Sequence, residues 1–187
     1  IISDMVGNEE PRAAIMEWFA KWKKGAKPLL IIGPPGIGKT TIAYLLAKQF
    51  GYDMIGLNAS DVRSKSRLNE ILTPVLSNVS VLGTPMIFID EVDGIHGRGD
   101  YGGAAALVSI LKKPNVPILL AANYDDSDKM KSIKKAVTTI SFKKISPRLL
   151  RVYLENILKK ENTTLSPGSL IKVIDKSKGD IRSMINL

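Results

Sequence analysis

Residues 29–50 read LLIIGPPGIGKTTIAYLLAKQF. Four apolar residues, Leu29 to Ile32, end at Gly33. The next eight, Gly33-Pro34-Pro35-Gly36-Ile37-Gly38-Lys39-Thr40, fit G-x-x-x-x-G-K-[ST], and apolar residues return at helical spacing in Ile42, Leu45 and Leu46. Strand, glycine-rich loop and helix, in that order, are what a phosphate-binding loop requires. The glycines let backbone N–H groups turn inward without a Cβ in the way, forming an anion nest. The helix that follows points its positive end at the same spot. In that arrangement Lys39 reaches the β and γ phosphates of a nucleotide and the Thr40 hydroxyl ligates magnesium. A chance glycine turn with this spacing arises on the order of 1% of the time in a chain this long. Nucleotide binding is therefore the expectation from which the rest is read.

Two further apolar runs end in polar residues. Pro85-Met86-Ile87-Phe88-Ile89 leads into the adjacent acids Asp90 and Glu91, and Val116 to Ala122 leads into Asn123. In a parallel sheet, ligands bind at the carboxyl ends of strands, so these side chains are expected beside the phosphate loop. Asp90 would hold the magnesium through water, and Glu91 would orient and deprotonate the attacking water. Asn123 has two readings, a turn-forming amide or a hydrogen-bonding partner of the γ phosphate or lytic water. Asp93 is a third acid nearby, with no comparable geometric reason attached to it.

Strands alternating with helices, the strands nearly continuous in apolar residues, predict an α/β fold: a three-layer P-loop NTPase with a parallel sheet. Asn8 is placed to cap a first helix carrying Pro11 in its first turn and Ile15, Trp18, Phe19 and Trp22 on one face, ended by Lys23-Lys24-Gly25. Met54 to Asn58 reads as a strand. A helix with Leu68, Ile71, Leu72 and Val75 inward follows, with Pro74 expected to bend or end it. Arg63, Lys65 and Arg67 cluster near that helix's start, where cations oppose the macrodipole. A bound phosphate backbone would offset this, although scattered surface cations are common. Val92 to Gly103 is a glycine-rich loop in which His96 is an ordinary loop residue. A helix is expected from Ala104 to Lys112, a hydrophilic stretch from Asp125 to Lys135, and a last strand from Val137 to Phe142. From Ser146 the pattern is helices only, started by Ser146-Pro147, Ser166-Pro167 and Asp180. Residues 1–145 are thus expected to form the nucleotide-binding domain and 146–187 a small all-helical one that breaks off at Leu187. The chain opens on Ile1 rather than Met and has the look of a trimmed piece.

Among 187 residues, 27 Lys and Arg against 18 Asp and Glu leave a net charge of +9, which directs attention to polyanionic partners. At 44% hydrophobic and 24% charged, the composition is that of a globular protein. The lack of cysteine excludes disulfides and thiolate metal sites and fits an intracellular protein, and a single histidine argues against zinc. No apolar run approaches the roughly 20 residues of a membrane span, so no membrane partner is expected.

Taken together, VGNEE near the start, GPPGIGKTT at residues 33–41, LNASDVRSK at 57–65, IDEVDGIHG at 89–97, the strand ending at Asn123, and GDIRSMINL at 179–187 resemble AAA+ ATPases. More narrowly, they resemble large subunits of replication factor C, the sliding-clamp loader. The resemblance covers essentially the whole chain. It implies that Val6 and Gly7 border the adenine pocket, and that residues Gly33 to Thr41 cradle ATP. Asn123 then acts as a first sensor, and Arg182 as a second, reaching the γ phosphate from a helical lid at 146–187. It implies Mg2+ held at Thr40 and Asp90, and catalysis by Lys39, Glu91, Asn123 and Arg182. It further implies smaller partner subunits joined through a collar domain, a sliding clamp, and primer–template DNA, for whose phosphates Arg63, Lys65, Arg67 and Arg98 are the candidate contacts. Small subunits of that family carry a Ser-Arg-Cys finger where this chain has Lys134-Lys135-Ala136-Val137. That departure fits a large subunit, which receives a finger from a neighbour. Leu76 to Leu82 could touch the clamp or simply pack locally. The alternatives are another DNA-acting AAA+ machine (a branch-migration helicase or an origin-binding initiator), a nucleotide-gated scaffold without hydrolysis, or a basic nucleic-acid module with a fortuitous loop. The location implied is intracellular, the cytoplasm or nucleoid if the cell is archaeal and the nucleus if it is eukaryotic, with the absent cysteines and compact motifs leaning towards archaeal.

Overall fold

The computed structural model describes residues 1–58, 65–77, 83–95, 103–123 and 128–187. Among them, five parallel strands form one sheet: β1 (Leu29–Ile32), β2 (Tyr52–Asn58), β3 (Thr84–Asp90), β4 (Ile118–Ala122) and β5 (Thr138–Ser141). Their spatial order is β2-β3-β4-β1-β5, so the loop-bearing strand β1 lies inside the sheet.

The apolar strands split their side chains between two helical layers because successive residues of a strand face opposite ways. Leu29, Ile31, Met86, Phe88, Leu119 and Ala121 pack with Ile15 and Phe19 of α1 (Glu9–Ala20) and Ile42 and Leu46 of α2 (Lys39–Phe50). Leu30, Ile32, Ile87, Ile89, Ile118 and Leu120 pack on the other face. There they meet Leu68 and Leu72 of α3 (Lys65–Ser77), Leu107 and Leu111 of α4 (Gly103–Leu111), and Met130 and Ile133 of α5 (Asp128–Ala136). Each such side chain taken fully out of water contributes about 1.5–3 kcal/mol, whether it comes from strand or helix. This is the three-layer α/β architecture expected from the sequence.

Helices α6 (Pro147–Lys160), α7 (Pro167–Ser177) and α8 (Ile181–Ile185) gather round a separate cluster of Leu150, Leu154, Leu170, Ile174 and Met184. All three start at side-chain caps. Ser146 accepts from the Leu149 N–H, Ser166 from that of Ser169, and Asp180 from that of Ser183, with Pro147 and Pro167 in the first turns of α6 and α7.

Several local expectations are corrected. Asn8 does precede α1, but it sits in the left-handed region and its side chain caps nothing. It accepts from the Lys143 N–H at 2.7 Å and donates to the Lys143 carbonyl at 3.0 Å, a long-range clamp in place of a local one. Helix α1 ends at Ala20, before Lys23-Lys24-Gly25, and Trp18 meets the ring of Phe19 edge-on while donating its indole N–H to the Lys27 carbonyl. Pro74 does not end α3, which continues to Ser77. Burial of Leu68 and Leu72 on the sheet outweighs the one helical hydrogen bond the proline removes. The hydrophilic stretch contains α5, held by Met130 and Ile133, both fully buried. Among the described residues, no helix is long and apolar enough to cross a membrane.

Candidate functional site

Strand register sets the site. Ile32 of β1 pairs with Ala122 of β4, and Ile89 of β3 pairs with Leu120. The chain therefore leaves the sheet at Gly33, at Asp90-Glu91 and at Asn123 along one edge, where α2 also begins. The first N–H groups of α2 have no helical partner and face that edge.

Lys39 is 9% exposed, and all three of its donors are taken. Its ammonium donates to the carbonyls of Gly33 at 2.7 Å and Pro34 at 2.8 Å, and to the Asn123 side-chain oxygen at 3.1 Å. The Thr40 hydroxyl donates to Asp90 Oδ2 at 2.6 Å, and the other Asp90 oxygen accepts from the Glu91 N–H at 2.9 Å. Glu91 has a φ of 53°, in the left-handed region that residues with a Cβ seldom adopt. Its Oε2 accepts from the side-chain amide of Asn58, at the end of β2, at 3.1 Å. Asp93, which had no assigned part, accepts from the Asn123 backbone N–H at 3.1 Å and so fixes the residue that holds Lys39.

A cavity of about 390 Å3 opens here between the loop and the helices α6 and α8. Of the residues expected to meet nucleotide, Val6, Pro35, Gly36, Ile37, Gly38, Lys39, Thr40, Thr41, Asp90, Glu91, Asn123 and Arg182 all line it. Gly33, Pro34 and Gly7 do not line it: the first two are acceptors for Lys39, and the Gly7 carbonyl accepts from Arg12. Met5, Tyr153, Ile181 and Ile185 also line it and were not singled out. In the sequence they are ordinary members of apolar patterns, and only their placement sets them apart. The same is true of Asn58, which closes a strand like many turn residues.

The helical end touches the loop directly. The Ile181 N–H donates to the Gly36 carbonyl at 3.1 Å. Gly36 has a φ of +68°, and a Cβ there would overlap the Asp180 carboxylate. Its backbone conformation favours glycine, and any side chain there would also have to displace the Asp180 carboxylate.

Burial holds the Lys39 ammonium below its ordinary range, opposed by the carboxylates of Asp90, Asp93 and Glu91, with Arg182 pushing it lower still. A triphosphate would bring further negative charge to Lys39 and Arg182, which line the cavity together. The paired oxygens of Thr40 and Asp90 are hard donors of the kind magnesium takes, in the company of phosphate oxygens. Among the described residues no group of three or more His, Cys, Asp or Glu forms a protein-only metal cage.

The basic candidates are less defined. Arg63 and Arg98, like His96 and Val79 to Leu82, lie outside the described residues. Lys65 and Arg67 fall in the first turn of α3, next along the chain from β2 and the site's edge.

The family described as ATPase family associated with various cellular activities (AAA) matches residues 29–161. The replication factor C large subunit of Thermofilum pendens is 42% identical across 99% of this chain. Those of Methanosphaera stadtmanae and Archaeoglobus fulgidus are 38% and 34% identical across 98% and 99%. The chain spans less than half of these relatives, 46%, 35% and 41% of their lengths. Among solved structures, RuvB from Thermotoga maritima matches with a TM-score of 0.72 over 97% of this chain and 60% of that one. At 16% identity, that likeness is one of fold alone.

Proposed function

The chain belongs to the AAA family of ATPases, and from that premise we propose that it is the ATPase portion of a clamp-loader large subunit. In this reading it uses ATP and Mg2+ to place a sliding clamp on primer–template DNA, inside the cell. Residues 1–145 act as the ATPase domain and 146–187 as its lid. The observation that carries the reading is that Lys39 of the phosphate loop and Arg182 of α8 line one cavity together with Asp90, Glu91 and Asn123. The likeness to replication factor C large subunits, over nearly the full chain, supports the narrower assignment.

The triphosphate would enter the amide cup at the start of α2, drawing Lys39 from the carbonyls of Gly33 and Pro34 towards the β and γ phosphates. Mg2+, held at Thr40 and Asp90, would neutralise charge developing on the phosphates. Glu91 would take the proton from the attacking water, a step worth about 10²–10⁴ in rate. Asn123, fixed by Asp93, would bond the γ phosphate or that water. Arg182 would contact the γ phosphate, so that hydrolysis alters what holds α8 against the loop. A neighbouring small subunit would supply the arginine finger; because such a finger is worth about 10³ to 10⁵ in rate, the chain alone should turn over slowly. DNA would be held by its backbone phosphates through Arg63, Lys65, Arg67 and Arg98, a salt-sensitive and sequence-indifferent contact.

The test is clamp retention on primed circular DNA by the full-length protein assembled with its smaller subunits. ATP should be required, and Glu91→Gln should bind ATP and the clamp but fail to release the clamp on DNA. ATP turnover that neither clamp nor DNA accelerates would overturn the clamp-loading assignment while leaving the ATPase intact.

A further inference from the structure

We propose that Arg12 is a positioning residue for the apolar wall of the nucleotide cavity. The inference rests on the reading that this cavity takes ATP. Arg12 lies in the first turns of α1 and is 8% exposed. Burying a guanidinium is costly unless its donors are satisfied. Here Nε donates to the Gly7 carbonyl at 2.9 Å and Nη1 to the Ile2 carbonyl at 2.6 Å. Glu9, 72% exposed, stands only at the outer edge, 3.6 Å from Nη2. The two acceptors are the first and last residues of the segment 2–7, and Met5 and Val6 between them line the cavity.

That segment belongs to no strand, so sheet pairing does not hold it in place. On the helical side it is fixed by other means. Val6 packs against the cluster of α6–α8, and Ile145 Cδ1 stands 2.7 Å from where a Cβ on Gly7 would be. Asn8, next in the chain, clamps both backbone groups of Lys143. On the α1 side the two guanidinium bonds are the polar link. A planar fork can reach two carbonyls five residues apart, whereas a lysine offers a single nitrogen. Arg12 itself does not line the cavity; it lines a groove on the outer side, with Ile2 and Leu45. Its effect on a nucleotide therefore passes through Met5 and Val6. Those two residues, with Tyr153, Ile181 and Ile185, belong to the apolar lining of a cavity that Lys39 and Thr40 also line.

A structural role alone would weaken every ligand alike, whereas a role in the apolar wall should act on the nucleoside and spare the phosphates. The experiment displaces a fluorescent ATP analogue with ATP and with inorganic tripolyphosphate, both with Mg2+, from wild type, Arg12→Lys and Arg12→Met. All are measured below each variant's melting temperature. ATP affinity should fall about tenfold in Arg12→Met, as expected for losing the order a buried hydrogen bond supplies, and less in Arg12→Lys. Tripolyphosphate affinity should hold within about twofold, a change too small to reflect a lost hydrogen bond. A parallel fall of both ligands, or no change in either, would overturn the proposal. Should Arg12→Met not fold, the same ratio measured in Arg12→Lys decides. Failure of the wild type to bind the analogue at all would instead sink the nucleotide reading on which the proposal rests.

Discussion

The backbone N–H of Ile181 donates to the carbonyl of Gly36 at 3.1 Å, bonding the last helix of the chain to the phosphate loop. The bond forms beside the Asp180 carboxylate, which occupies the space a Cβ on Gly36 would need. Contact between loop and helix therefore depends on a residue without a side chain, held at positive φ.

Gly36→Ala should be destabilising on two counts. Left-handed backbone costs a residue with a Cβ about 1–2 kcal/mol, and the Asp180 carboxylate must also move. Asp180→Ala should cost about 1 kcal/mol through the lost cap on Ser183 and should remove the obstruction. The double variant is then expected to be less destabilised than the sum of the two, with a coupling of about 0.5–3 kcal/mol. Urea unfolding of all three variants measures this, and strict additivity would show that Asp180 does not oppose a side chain at position 36.

Lys39 links nucleotide affinity to pH. Its folded-state pKa lies below the ordinary value of 10.5 because burial disfavours the ammonium. Below the folded value both states are protonated and Lys39 adds no slope. Between the folded value and 10.5 the unfolded chain binds the extra proton, so the ligand-free protein gains stability as pH rises through that window. Nucleotide affinity should move the other way, falling as the ammonium is lost. ATP titrations across alkaline pH should place that fall below 10.5, the ordinary lysine value. Lys39→Arg, charged throughout, should stay flat over the same window.

Asn8 offers a purely structural check on the joint between segment 2–8 and residues 142–145. Asn8→Ala loses two hydrogen bonds to Lys143, at about 0.5–1.5 kcal/mol each, and adds the strain of a left-handed alanine. Asn8→Gly loses the bonds without the strain. Chemical denaturation should therefore rank wild type above Asn8→Gly and Asn8→Gly above Asn8→Ala, the last step being about 1 kcal/mol. Equal stability of all three would mean the clamp contributes nothing.

The proposed DNA contacts make an electrostatic prediction. Neutralising Arg63, Lys65 and Arg67 together should reduce the slope of log affinity against log salt by about one per lost phosphate contact. The assay is DNA binding by the assembled loader over a salt series. An unchanged slope would remove these three residues from the interface.

The parts legible in the sequence are those set by short-range physics. Glycine spacing at Gly33, Gly36 and Gly38 marked the loop, apolar runs marked the interior strands, and Ser-Pro pairs marked the starts of α6 and α7. Helix α5 carries a weaker local signal. Met130 and Ile133 anchor it among lysines, with Ala136 partly buried at its end, too few apolar positions to display a helical period. Asn8 is ambiguous in sequence because a local cap and a distant clamp use the same side chain.

What the sequence determined unaided was the phosphate loop, the acids and amide at strand ends, and the three-layer class, since each follows from neighbours along the chain. Only the tertiary structure decided that Asn58 holds Glu91, that Asp93 steadies Asn123, that Arg12 ties down the segment beside the cavity, and that α8 returns to Gly36. Those pairings join residues brought together by the strand order β2-β3-β4-β1-β5 and by the docking of separate elements. Such an order is chosen by packing across the whole sheet, and no local pattern of residues encodes it.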